Sequence, residues 1–257
     1  MSIFLRSIFV LTAVCAVVAR SEDSAIQPWP LPPNDTFLAV IPPPPKPGDP
    51  RDISDLDYTL AVQAAATPEQ IAHAVKTAGL NVFTFSEAIG PRFTAENYPR
   101  TEAFFKRLEV TAKGPTNYIK DTYQRLRPID GHKGVVKLNA PYEAGFSCPS
   151  GHSTRSWLFA LVLGQLDPAA RFACIRAAAQ VGEDRVVAGL HYETDVIASR
   201  ALAQQIYSDL MKEPLFVKDL DALKAAEWQN AVSAAKRGQA VGFAIESPRL
   251  CAYPTTR

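Results

Sequence analysis

The sequence predicts an all-α fold, a single-domain helical bundle behind an extended, proline-rich N-terminal arm. Three observations predict it. From Asp52 onward, apolar residues recur at helical spacing in one segment after another, with no convincing strand alternation. The segments are punctuated by helix start and stop signals such as Thr67-Pro68, Gly90-Pro91 and Pro149-Ser150-Gly151. The chain has 257 residues, 47% apolar and 21% charged, which suits one globular domain with a substantial core. Its formal net charge of +1 gives no bulk attraction to nucleic acid, so any anion site must be local.

Taken in order, residues 1–19 have the layout of a secretory signal peptide. Arg6 precedes an apolar run from Ser7 that closes on the small residue Ala19, and polar residues follow. The run is too short to span a bilayer, which needs roughly 20 apolar residues. Export, to the periplasm or outside the cell, is expected; an uncleaved anchor is the alternative. Cleavage would remove Cys15 and leave Cys148, Cys174 and Cys251, enough for one disulfide at most. Residues 20–50 form the arm, peaking at Ile41-Pro42-Pro43-Pro44-Pro45-Lys46-Pro47, where missing backbone donors favour an extended chain that wraps the domain or a neighbouring subunit.

Residues 51–257 form the helical domain. Helices are expected over Asp52 to Ala66 and over Pro68 to Leu80, the second capped by Thr67. A short helix around Phe83, Phe85 and Ile89 follows, then Thr101 to Thr111 and Pro115 to Leu126, stopped by Arg127-Pro128. A polar connection from Ile129 to Phe146 leads to helices at Ser150 to Leu166, Pro168 to Val187, Glu193 to Lys212 and Val217 to Lys236.

Three pieces of this chain carry chemistry. Cys148-Pro149-Ser150-Gly151-His152-Ser153 is a turn that starts a helix at a histidine, where unpaired N–H groups and the positive end of the helix dipole suit an anion. Lys120 and Arg127, seven apart, would share one helix face, with Arg125 adding charge at the chain reversal. His191 and Asp195, four apart, would stack on one face of a helix starting near Leu190, the carboxylate fixing the imidazole tautomer. Arg185, across Gly189, could join them around one small anion. Each piece alone also fits a plain structural role: a cap, a solvated basic face, a helix salt bridge. His73 and His132 read as structural or exposed.

Together, Lys120 to Pro128, Pro149-Ser150-Gly151-His152, and Arg185 with His191 and Asp195 resemble the three-part signature K-x6-R-P, P-S-G-H, R-x5-H-x3-D of the type 2 phosphatidic acid phosphatase superfamily. Within it the chain looks like the bacterial class A non-specific acid phosphatases over roughly residues 38 to 225. It departs from that pattern at Asp184, where the family has serine, at Phe146 and Cys148 before Pro149, and at Glu87.

The resemblance implies a metal-independent acid phosphatase with a broad range of phosphate monoester substrates and possible phosphotransfer. Lys120, Arg127, Arg185, the Ser150 and Gly151 N–H groups and the Ser150 hydroxyl would hold the phosphate. His191, oriented by Asp195, would form a phosphohistidine, while His152 would serve as acid and then base. Bound phosphate should raise the His152 pKa and give an acidic optimum. No cofactor and no metal are implied; inorganic phosphate and vanadate would inhibit. The resemblance also implies a homodimer or higher homo-oligomer, with no nucleic-acid partner and no transmembrane domain. A vanadium-dependent haloperoxidase, or a phosphate-binding member impaired in catalysis by Asp184, remains the alternative.

Overall fold

The computed structural model describes residues 26–138 and 144–229. The expected signal segment, Cys15, Cys251 and the end of the expected tail helix lie outside the described residues. Among those described there are nine α-helices and no strand: α1 (Pro50–Ala65), α2 (Pro68–Thr77), α3 (Ser86–Ile89), α4 (Pro99–Tyr123), α5 (Pro128–Gly131), α6 (Gly151–Leu166), α7 (Arg171–Val187), α8 (Glu193–Leu210) and α9 (Pro214–Leu223). Short 3-10 turns cover Asn34–Ala39 and Val82–Phe85, and a π-helical turn covers Lys224–Trp228. The all-α expectation holds.

The bundle is built around α6. Leu158, Phe159, Ala160, Val162, Leu163 and Leu166 of this helix are all buried, as expected of a helix that is apolar on every side. It packs against α7 and α8, and α4 runs beside it. Gly182 of α7 permits the close approach: a Cβ there would lie 2.7 Å from Val196 Cγ1 on α8 and 3.1 Å from Ser153 Oγ on α6. The first turns of α6 and α8 are thereby brought together, and both bear residues of the candidate site. No helix among the described residues is long and apolar enough to cross a membrane.

The described part of the arm packs on its own domain. Trp29 is buried, with its ring centroid 4.7 Å from that of Phe104 and 5.1 Å from that of Phe216. Its Nε1 donates to Asp219 at 2.9 Å, and the Arg107 guanidinium carbon lies 4.2 Å from its ring centroid. Ile41 is buried too, and its carbonyl accepts the Tyr123 hydroxyl at 2.6 Å. The arm therefore belongs to the core, and it is extended only in part, since Asn34–Ala39 forms a 3-10 turn.

Two helices expected on either side of Pro115 are one. α4 runs through the proline for 25 residues, because one absent N–H costs less than the packing of its continuous apolar face, which buries Phe104, Phe105, Leu108, Ala112, Pro115 and Ile119. The helix also stops earlier than expected. Gln124, not Pro128, ends it, in the left-handed conformation at φ 48°. Its start is capped from a distance: Glu227 in the π turn accepts the N–H groups of Arg100 and Thr101 and the Thr101 hydroxyl, at 2.8, 2.9 and 2.7 Å. Glu227→Ala is expected to cost about 1–2 kcal/mol, as for other lost helix N-caps. In a thermal melt this should appear as a Tm lowered by roughly 2–8 °C.

Candidate active site

Lys120, in the last turn of α4, and Arg127, beyond its end, do not share a helix face as expected. The left-handed Gln124 breaks the helix between them, and Pro128 forces Arg127 into an extended conformation at φ −70°, ψ 154°. They converge all the same. Both line a cavity of about 430 Å³, together with Gly151 and His152 from the start of α6, Phe146 and Gly145 from the preceding loop, and Glu109 and Arg155 at one side. Lys120 donates to the Phe146 carbonyl, and Arg127 Nε donates to the Gly145 carbonyl at 3.0 Å.

Ser150 is the residue that caps α6, its hydroxyl accepting the Ser153 N–H at 3.4 Å. Gly151 is therefore the first helical residue, and α6 opens toward the cavity with His152 in its first turn. The His152 Nε2 meets the Ala78 carbonyl at 3.0 Å, which ties the ring to the end of α2.

His191 precedes α8 instead of lying on it. α8 begins at Glu193 with Tyr192 as its N-cap, and Asp195 is the third helical residue, its carboxylate accepting the Tyr192 N–H at 2.9 Å. The stacking expected on one helical face is replaced by a capping geometry, because a carboxylate at that position is drawn to the exposed N–H groups of the first turn. His191 Nδ1 still faces Asp195, at 3.7 Å from Oδ2, which is outside hydrogen-bond reach. Nδ1 is buried and makes no hydrogen bond. The other ring nitrogen, Nε2, lies 3.0 Å from Arg127 Nη1. A guanidinium can only donate, so Nε2 holds the lone pair and Nδ1 the proton. Gly189, at φ 71°, makes the turn that returns His191 to the end of α7; a Cβ there would lie 2.8–2.9 Å from Val135, Gln63 and the Val136 carbonyl.

Electrostatics follow from burial. His191 is fully buried, which pushes its pKa down to about 3; Asp195 opposes this, and Arg127 and Lys120 reinforce it. Asp195 is also fully buried, and burial alone would raise it. The His191 ring, Arg125 and the Ser147 hydroxyl overcome that and hold the carboxyl below the usual carboxylate range.

Arg125 is where the sequence said least. The sequence marks it only as extra charge, yet it joins three acidic side chains: Asp195 Oδ1 and Asp55 Oδ2 at 2.8 Å and Asp52 Oδ1 at 3.3 Å. Its guanidinium carbon lies 3.8 Å from the Tyr192 ring centroid. Burial disfavours this cation, but Asp195 and Asp55 outweigh burial and raise its pKa. The only sequence signal for the network is Asp52 and Asp55, three apart on α1. Ser147, which donates to Asp195, carries no signal at all.

Arg185 is fully buried in the last turn of α7, and its backbone carbonyl accepts the Leu190 and His191 N–H groups at 3.1 and 3.3 Å. Asp184 beside it is fully buried and turned toward α2. His73, expected to be structural or exposed, is Asp184's partner there. Phe146 lines the cavity, whereas Cys148 is buried and not on the cavity wall. Cys148 and Cys174 are both buried free thiols. Among the described residues no group of three or more His, Cys, Asp or Glu side chains is placed to hold a metal ion.

Residues 108–206 match the PAP2 superfamily model, a span that contains every residue singled out for phosphate chemistry. Over 237 residues the chain is 28% identical to the non-specific acid phosphatase of Providencia stuartii, covering 87% of this chain and 95% of that protein. It is 26% identical over 234 residues to the non-specific acid phosphatase of Salmonella typhi, covering 84% and 90% respectively. Among solved structures, a transmembrane PAP2 type phosphatidylglycerolphosphate phosphatase from Bacillus subtilis aligns with 68% of this chain and 89% of that one, at TM-score 0.46 and 19% identity. The chain is thus similar to the PAP2 superfamily over residues 108–206 and, over most of its length, to the non-specific acid phosphatases.

Proposed function

We propose that the protein is an acid phosphatase that hydrolyses phosphate monoesters through a phosphohistidine on His191, without a metal ion. The observation that carries this reading is the contact between Arg127 Nη1, on the cavity wall, and His191 Nε2 behind it. A neutral imidazole whose lone pair is held by a cavity-lining guanidinium is a nucleophile waiting for an anion to take that guanidinium away.

A phosphate monoester would enter between Lys120, Arg127 and the N-terminus of α6, where the Gly151 N–H would meet it; Ser150, whose N–H donates to the Asp195 carbonyl at 3.5 Å, and the buried Arg185 lie behind the cavity lining and would have to turn to the phosphate. Arg127 would then exchange His191 for a phosphate oxygen and expose Nε2. The Nε2 lone pair forms the N–P bond as the P–O bond to the leaving group breaks. His152, tied by Nε2 to Ala78, gives its Nδ1 proton to the departing oxygen. A small rotation of the His191 ring brings Nδ1–H onto Asp195, which stabilises the cationic phosphoimidazole. His152 next takes a proton from water, the water attacks phosphorus, the N–P bond breaks, and phosphate leaves. Three cations and a helix terminus stabilise the charge spread over the phosphoryl oxygens. An alcohol in place of water gives phosphotransfer. The signal segment at 1–19, export to the periplasm or beyond, a 51–257 catalytic domain and assembly as a homodimer or higher oligomer complete the proposal.

The test is hydrolysis of p-nitrophenyl phosphate in EDTA, followed from pH 3 to 9. Turnover unaffected by chelator is expected. The acid limb of kcat/KM reports the free enzyme, and His191 loses its lone pair only on protonation near pH 3. Activity should therefore persist at pH 4–5. No turnover despite retained phosphate affinity, or an acid limb near pH 6.5, would contradict the reading.

A further inference from the structure

The geometry points to Thr77 and Asp184 as positioning residues for the phosphate-binding guanidinium of Arg185; this rests on the phosphatase reading above. Burying a guanidinium is costly unless its donors are matched, and Arg185 is fully buried. Its Nη2 donates to the Ala74 carbonyl and to Thr77 Oγ1, the latter at 3.0 Å, both on α2. A threonine hydroxyl has one hydrogen, and where that hydrogen goes decides whether the oxygen can receive Arg185.

Four atoms compete around Thr77 Oγ1. Asp184 Oδ2 lies at 2.7 Å, the His73 carbonyl at 3.1 Å, the Ala74 carbonyl at 3.3 Å, and Arg185 Nη2 is itself a donor. The carboxylate is both the nearest and the strongest acceptor, so it takes the hydrogen and turns a Thr77 lone pair toward Arg185. Asp184 is in turn fixed by two more donors, His73 Nδ1 at 2.8 Å and Gln180 Nε2 at 3.1 Å. Asp184 and Arg185 are neighbours in sequence but about 100° apart around α7. They connect by way of α2, in the order guanidinium to hydroxyl to carboxylate. The chain thus spans the joint between α2 and α7, and the same stretch of α2 ends at Ala78, which holds His152.

The serine-to-aspartate departure at 184 therefore reads as a change in how Arg185 is held. The negative charge faces α2 and is matched there, so it need not repel the substrate.

The test compares Thr77→Val, Thr77→Ser and Asp184→Asn, with p-nitrophenyl phosphate as substrate and inorganic phosphate as competitive inhibitor. Valine keeps the shape and removes the acceptor. The expected result is an inhibition constant for phosphate, and a KM, raised about 10-fold, in line with a lost hydrogen bond to a charged group, with a smaller fall in kcat. Thr77→Ser, which restores the hydroxyl, should return both constants toward the wild type. Asp184→Asn keeps an acceptor without the charge and should raise the phosphate constant by a smaller factor, which keeps the idea testable if Thr77→Val fails to fold. Wild-type phosphate affinity in folded Thr77→Val, or in Asp184→Asn where Thr77→Val does not fold, would overturn the assignment. So would a loss that Thr77→Ser fails to reverse. Absence of turnover in the wild type would instead sink the phosphatase reading.

Discussion

Replacing His191 with alanine is expected to lower kcat at least about 10³-fold while leaving phosphate binding within a few-fold of the wild type. The size of the loss follows from removal of a covalent route, since knocking out an activated nucleophile leaves only what oriented binding and electrostatic stabilisation supply. Retained affinity follows from the division of labour in the site. The cations and the α6 N-terminus that would hold phosphate are anchored independently of the imidazole: Lys120 on Phe146, Arg127 on Gly145 and Leu190, and Arg185 on Ala74 and Thr77. Removing the ring also frees Arg127 Nη1 from its contact with His191, so binding could even tighten slightly. Inhibition by inorganic phosphate, measured beside turnover, separates the two effects. A folded His191→Ala protein that hydrolyses at near wild-type rate would remove the nucleophile from the account.

His152→Ala should show a loss that depends on the leaving group. A general acid contributes about 10²–10⁴-fold when the departing oxygen needs a proton, and much less when the anion is stable by itself. Alkyl phosphates, which would expel a strongly basic alkoxide, should lose most of that factor. p-Nitrophenyl phosphate should lose far less in the step that forms the intermediate. Because in the proposed mechanism His152 would also deprotonate the water, the slow step for the activated ester should move to breakdown of the proposed intermediate. A burst of nitrophenolate followed by slow turnover is the expected trace. An equal loss for alkyl and nitrophenyl esters, without a burst, would point to a binding role for His152.

The bundle was largely legible in the sequence, and the reasons for the exceptions are local. Pro115 reads as a helix break, but the buried stripe from Phe104 to Ile119 carries α4 through it, and only tertiary packing could reveal that. Lys120 and Arg127 are seven apart, which suggested one helical face. The left-handed Gln124 has no glycine or asparagine to announce it, so the turn that brings the two together could not be foreseen. The His191 and Asp195 spacing gave the pair but not its form, because a carboxylate in the first turn of a helix prefers the N–H groups there over a side chain four residues back. The three motifs stand out in the sequence because their residue types and spacings are restrictive. Their supports do not: Arg125 reaches Asp52 and Asp55 across about 70 residues, and Asp184 reaches His73 and Thr77 across more than 100. Long-range pairs of this kind leave no periodic trace in a single sequence.

These supports also bear on how the site can work in acid. An exposed imidazole would be mostly protonated below its ordinary pKa of about 6.5 and useless as a nucleophile there. Burial with Arg127 and Lys120 nearby moves His191 down to about 3, which keeps its lone pair available in acid for the proposed attack. Buried carboxylates do the complementary work, with Asp195 kept ionised by Arg125, Ser147 and the His191 ring.

Trapping the intermediate tests this scheme most directly. The enzyme would be mixed with a ³²P-labelled monoester, quenched in base within the first turnover, and the labelled peptide mapped. Label on His191, stable to base and lost in acid as expected of a phosphoimidazole, and absent from His191→Ala, is the predicted result. Label on any other side chain, or no covalent label in a single-turnover experiment that releases product, would contradict it.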